Sequence, residues 1–165
     1  MTNRRILVMG VSGSGKSYVG RLLAERLDAA FIDGDDHHAP ASIDKMRRGI
    51  PLTDDDRSDW LATLAGLIAD HRRRGLPLVV ACSALKRRYR DILRGGDPSL
   101  AILFLDGNRE RLRERLQARP DHFFRGDAML ESQLADLEPP GADEAVTLSI
   151  ELSPGALVER FLAGR

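Results

Sequence analysis

The chain has 165 residues, and its 25 Lys+Arg against 25 Asp+Glu leave no formal net charge. That length suits one domain over 1–165 with a sizeable core, and the even balance lacks the basic footprint that bulk nucleic-acid binding requires. A single cysteine, Cys82, excludes an internal disulfide framework, no apolar run approaches a membrane span, and Met1-Thr2-Asn3-Arg4-Arg5 carries no signal-like apolar region, so a soluble cytoplasmic protein without nucleic-acid or membrane partners is expected.

Ile6-Leu7-Val8-Met9 reads as a short buried strand. It runs into Gly10-Val11-Ser12-Gly13-Ser14-Gly15-Lys16-Ser17, which matches G-x-x-x-x-G-K-[ST]. Val19, Leu22, Leu23 and Leu27 then recur at helical spacing. Strand, glycine-rich turn and helix is the context that a nucleoside triphosphate loop needs. The glycines let the backbone curl and turn its N–H groups inward. The helix start adds unpaired N–H groups and a partial positive charge. Lys16 then reaches the β- and γ-phosphates, and the Ser17 hydroxyl ligates Mg2+. Gly10, Ser12, Gly13, Ser14, Gly15, Lys16, Ser17 and Tyr18 make up the expected nucleotide contacts.

Ala30-Phe31-Ile32 is a second strand that delivers Asp33-Gly34-Asp35-Asp36-His37-His38 to its C-terminal end, the edge where open α/β sheets bind ligands. A short helix is expected over Ser42 to Arg48, with Ser42 as its cap, broken by Gly49-Ile50-Pro51. Thr53 or Asp54 caps the next helix, which carries Trp60, Leu61, Leu64, Leu67 and Ile68 on one face and ends near Gly75. The run His71-Arg72-Arg73-Arg74 suits the negative end of that helix dipole. Leu76 to Cys82 is the strongest strand signal, apolar and β-branched. A loop and helix follow over Ser83 to Arg94, then a fourth strand at Ala101 to Leu105. Helices are expected at Arg109 to Arg119 and Ala128 to Leu137, a fifth strand at Ala145 to Leu152, and a last helix opening at Pro154. Strands alternating with helices imply a parallel sheet covered on both faces.

Several groups gather on the loops after these strands. Asp33 and Asp35, if the strand geometry continues, point the same way; one carboxylate orders metal-bound water while the other accepts a proton from a substrate hydroxyl or orients it. His38 is a candidate hydrogen-bonding group in an acceptor pocket. Arg57 sits in the first turn of a helix, where the dipole does not favour it, and so suits a grip on an anion. Cys82 has no base partner in sequence and reads as a small buried residue. Lys86, Arg87, Arg88 and Arg90 are many cations for one helix; some solvate it, and one or two suit a carboxylate-bearing substrate. Arg115 and Arg119 share a helix face ahead of a polar segment that suits a closing lid around 119–128.

Together these stretches closely resemble the gluconate kinases (gluconokinases), P-loop kinases related in fold to shikimate kinase and the nucleoside monophosphate kinases. The matching segments are GVSGSGKS at 10–17, DGDDHH at 33–38, KMRRGIPLTDDDRSDWL at 45–61, CSALKRRYRDILR at 82–94 and HFFRGDAMLESQLADLEPPGADE at 122–144. The resemblance implies an α/β fold with a five-stranded parallel sheet in the order 2-3-1-4-5. It implies transfer of the ATP γ-phosphoryl, with Mg2+, to the 6-hydroxyl of D-gluconate. It assigns catalytic roles to Lys16, Asp35 and Arg119, with Arg119 as the lid arginine, and magnesium ordering to Ser17 and Asp33. Asp35, His38, Arg57 and Lys86 fall on the acceptor side, Arg115 near adenine, and a homodimer is the common assembly. Alternatives are a kinase of another sugar acid or polyol and, from a different class, a nucleotide-dependent regulatory protein. Here Ala39 follows His38 where many relatives have proline, Ser42 stands in place of an asparagine, and the lid is slightly longer.

Overall fold

In a computed structural model, which describes residues 4–118 and 126–164, the three central strands are buried on both faces and the two edge strands only in part. Strand β1 (Arg5–Met9) sends Ile6 and Val8 to one side and Leu7 and Met9 to the other, the two-residue period of extended chain. A strand covered twice has no need of polar alternation, which is why it reads as a continuous apolar run. The chain continues through α1 (Lys16–Leu27), β2 (Ala30–Asp33), a 3-10 turn (Gly34–His37), α2 (Pro40–Arg47), α3 (Asp54–Arg73), β3 (Leu78–Ala81) and α4 (Arg87–Arg94). It completes with β4 (Ala101–Asp106), α5 (Arg109–Gln117), α6 (Gly126–Asp136), β5 (Val146–Ser149) and α7 (Pro154–Ala163).

The strands form one parallel sheet in the order β2-β3-β1-β4-β5, the expected topology. Val19 and Leu23 of α1, Leu112 and Leu116 of α5, and Leu157 and Phe161 of α7 pack on one face. Trp60, Leu61, Leu64 and Ile68 of α3 and Tyr89 and Leu93 of α4 cover the other. With β1 in the middle, the chain leaves β1 for one half of the sheet and returns beyond it for the other. The crevice at the carboxyl ends opens at such a switch point.

Some boundaries differ from the sequence expectation. Helix α2 begins at Pro40, with Ala39 as N-cap, and Ser42 lies buried inside the helix. Ser42 is therefore not the cap: proline, with its preset φ and missing N–H, opens the helix without one. Helix α5 stops at Gln117 with Ala118 as C-cap, and Arg119, expected as its last residue, lies outside the described residues. Helix α6 starts at Gly126 rather than Ala128. Strand β5 is four residues long; Ile150 still donates its N–H to Asp106 O at 2.9 Å, and Leu152 N–H then turns back to Ser149 O.

Candidate active site

The phosphate loop joins β1 to α1 at the centre of the carboxyl edge. Gly13 and Gly15 have φ of +86° and +88°, left-handed values that a side chain resists. A Cβ on Gly13 would also lie 3.2 Å from Leu112 O and from the Leu116 side chain. Helix α1 begins with no side-chain cap and no acid in its first turn, so its N–H groups and positive dipole end are left to an anion. Arg115 braces the loop from outside: Nη1 donates to Gly13 O and Ser14 O, both at 3.3 Å, and Nη2 to Ile150 O at 2.7 Å. Carbonyl and N–H of a trans peptide point oppositely. Pinning Ser14 O therefore turns the N–H of Gly15 away from the guanidinium.

Asp33 ends β2 beside this loop. Its Oδ2 accepts from Ser17 Oγ at 2.9 Å and its Oδ1 from the Asp35 N–H at 3.1 Å. The strand geometry does not continue to Asp35. A 3-10 turn intervenes, capped by Asp33 itself, so the two carboxylates do not share a strand face as expected. The adjoining hydroxyl and carboxylate are hard oxygen donors of the kind Mg2+ takes, and Mg2+ otherwise leans on waters and substrate phosphates. Ser17 and Asp33 thus fit the metal. Among the described residues no group of three His, Cys, Asp or Glu side chains is arranged to hold one by itself.

Past the turn, the His38 ring stacks on Trp60 with centroids 4.1 Å apart and planes 20° from parallel. Trp60 Nε1 in turn donates to Gly34 O at 2.7 Å, locking the acidic turn onto α3. Burial lowers the His38 pKa from 6.5; Asp35 opposes that shift and Arg57 adds to it. Nδ1 of His38 is buried without a hydrogen-bond partner among the described residues. Cys82, at the end of β3, is fully buried, and burial pushes its thiol up to about 12. It stays protonated at neutral pH and is no nucleophile.

Arg57 faces inward from the first turn of α3. Its Nη1 donates to Tyr89 Oη at 3.0 Å and to Asp136 Oδ2 at 3.3 Å. Tyr89 Oη donates onward to Asp54 Oδ1 at 2.9 Å, and Arg88 holds the other oxygen of Asp54. Lys86 stands at the N-cap of α4, its Nζ 5.8 Å from the Tyr89 ring centroid. Arg57 and Lys86 therefore converge on one tyrosine. Arg90 belongs elsewhere: it is buried, with Nε and Nη2 on Glu144, Nη1 on Ala84 O and Leu85 O, and Nη2 also on Glu138 O. Those bonds hold the turn before Lys86, where Ala84 has a φ of +47°.

Lys16, Ser17, Asp33 and Arg115 thus gather around the loop, and Arg57, Lys86 and His38 lie on the side of α3 and α4. Tyr18 is 63% exposed at the start of α1. Arg119 and lid residues 119–125 lie outside the described residues. Sequence reasoning missed Tyr89, Gln133 and Asp136. Their only signal was position, in CSALKRRYRD and in the helix that follows the lid.

A family model described as an AAA domain matches residues 6–140. The thermoresistant gluconokinase of Escherichia coli is 44% identical over 146 residues, 88% of this chain and 83% of that one. The crystal structure of a gluconokinase from Sinorhizobium meliloti superposes with a TM-score of 0.89 at 45% identity, covering 99% of this chain and 91% of that one. An unliganded sugar kinase from Janibacter gives a TM-score of 0.90 at 43% identity over 97% and 92%.

Proposed function

The chain belongs to the gluconokinase family of P-loop kinases, and from that premise we infer that it transfers the γ-phosphoryl group of ATP to the 6-hydroxyl of D-gluconate, giving 6-phospho-D-gluconate and ADP. The observation that carries the reading is the Ser17–Asp33 hydrogen bond of 2.9 Å. It ties the donor loop directly to the acidic turn that holds Asp35 and His38.

In this reading the N–H groups of Gly13 to Ser17 and the Lys16 ammonium hold the triphosphate, with Gly10 and Ser12 shaping the loop and Tyr18 and Arg115 flanking the nucleotide. When bound, Mg2+ supplies charge neutralisation at the phosphate oxygens, and Ser17 and Asp33 hold it. Arg57 and Lys86 receive the gluconate carboxylate, and His38, kept neutral by burial, hydrogen-bonds a hydroxyl. Asp35 orients the 6-hydroxyl and takes its proton as the oxygen bonds to the γ-phosphorus. The bond to the β–γ bridging oxygen breaks and ADP leaves. Arg119 is assigned to the developing charge on the transferring group. Mg2+ as the metal, a cytoplasmic location and a homodimer complete the proposal by family resemblance. No helix among the described residues is long and apolar enough to cross a membrane.

The test is ADP release by purified, folded protein with Mg2+-ATP and a panel of gluconate, other sugar acids, shikimate and nucleoside monophosphates. Turnover that depends on gluconate is expected. Silence with gluconate, or faster turnover with another acid, would sink the assignment.

A further inference from the structure

Helix α6 touches both halves of the site. Its Gln133 Oε1 accepts from the Ser12 N–H of the phosphate loop at 2.6 Å, and Met129 Sδ receives the Ser12 hydroxyl at 3.3 Å. Three residues after Gln133, on the same face of the helix, Asp136 Oδ2 holds Arg57 Nη1 at 3.3 Å. Just past the helix, Glu138 N–H donates to Leu85 O at 2.8 Å, and its Oε1 accepts from the Arg87 N–H at 2.8 Å, gripping the turn that carries Lys86 from both sides. One stretch, 129–138, therefore contacts the donor loop and the supports of both acceptor cations.

The chemistry of each contact is specific. A backbone N–H requires an acceptor, so the oxygen of the Gln133 amide must face Ser12. The carbonyls of Gly13 and Ser14 are fixed separately by Arg115. Gln133 thus secures the opposite shoulder of the same loop. On the acceptor side, Tyr89 and Asp136 both engage Nη1 of Arg57, a guanidinium whose Nε and Nη2 carry further N–H donors of the kind that bind a planar anion. Side chains of Arg57 and Asp136 are 21% and 28% exposed, so their bond is sheltered more than a surface ion pair would be.

We propose that α6 keeps the donor and acceptor halves in register, with Gln133 positioning the phosphate loop and Asp136 positioning Arg57. Neither residue touches a reacting atom; each acts through the group it holds. The Asp136 half rests on the reading that Arg57 meets an anionic acceptor.

The experiment compares wild type, Asp136→Ala, Asp136→Asn and Gln133→Ala by steady-state kinetics with ATP and gluconate varied independently, and by ATP-analogue binding. Loss of a hydrogen bond to a charged group predicts that Asp136→Ala raises the gluconate KM about tenfold while the ATP KM stays within about twofold. The Asn variant keeps an amide oxygen for Nη1 and recovers most of the loss. Gln133→Ala shows the reverse pattern, with ATP-analogue affinity about fivefold weaker. General loosening of the fold would move both substrates together. An Asp136→Ala protein with unchanged gluconate KM, or with both KM values shifted alike, overturns the proposal. If wild type does not turn over gluconate, the functional reading fails and takes the Asp136 half with it. Gln133 is then decided by nucleotide binding alone.

Discussion

Asp33 divides its carboxylate between two duties, one oxygen on Ser17 and the other on the N–H of Asp35. The residue types were legible as a strand-end acidic pair. Their relative orientation was not, because it depends on whether the chain stays extended or turns, and Asp33 itself makes it turn. The proposed reaction assigns proton transfer to Asp35. Asp35→Asn should lower kcat about 10²- to 10⁴-fold while changing ATP affinity far less, as paired turnover and nucleotide-binding measurements would show. Equal losses in both would assign Asp35 to nucleotide or metal binding instead. Cys82 behaves as its lack of a sequence partner suggested, buried and held protonated. Arg90 does not follow its neighbours. The sequence groups it with Lys86, Arg87 and Arg88 as cations that solvate the helix or suit a carboxylate-bearing substrate, but it lies on the inner side with Tyr89 and Leu93, and its main partner is 54 residues away.

Helix α3 shows what an element contributes beyond its residues. Thr53 Oγ1 accepts from the Asp56 N–H at 3.2 Å while Asp56 Oδ2 accepts from the Thr53 N–H at 2.9 Å, a reciprocal cap. That cap fixes where the helix starts, and so which way Arg57, one turn in, points. Thr53→Ala should cost about 1 kcal/mol of stability in denaturant unfolding, and Thr53→Ser should restore most of it. The bonds from Lys45 and from Thr53 hold the Asp56 carboxyl at about 2, below its ordinary 3.8. A folded value below the unfolded one means that its contribution is fully present above about pH 4 and is lost as pH falls toward 2. Circular dichroism should show the α3 start loosening over that window in wild type and less pH dependence there in Asp56→Asn. Capping signals are local, so Thr53 was one of two readings open from sequence. Ser42 misled because Pro40, two residues earlier, was already a sufficient start.

At the scale of the molecule, a buried ionic network ties α4 to the chain that follows α6. Glu144 follows α6 and meets Arg90 and Arg94 of α4. Burial pushes the Glu144 carboxyl up, but the bonds from Arg90 and Arg94 outweigh it and the net shift is downward. Arg90 and Glu144 side chains are 1% and 5% exposed, so removing one partner strands the other away from water. Arg90→Ala should destabilise the fold by about 3–5 kcal/mol in urea or thermal unfolding. Arg88→Ala, whose partner Asp54 is well exposed, should barely change it. Comparable effects from the two substitutions would mean that the buried network holds nothing together.

What the sequence determined by itself was everything carried by local pattern. The apolar runs and helical spacings named the strands and helices because burial on one or both faces has a fixed period. The G-x-x-x-x-G-K-[ST] loop named the triphosphate site because consecutive residues build it. The tertiary structure alone decided which distant side chains meet: Gln133 with Ser12, Asp136 with Arg57, Arg90 with Glu144, Arg115 with the loop carbonyls. Those pairings depend on how the helices lie across the sheet, and a contact between residues 54 to 121 positions apart leaves no periodic trace in the chain that makes it.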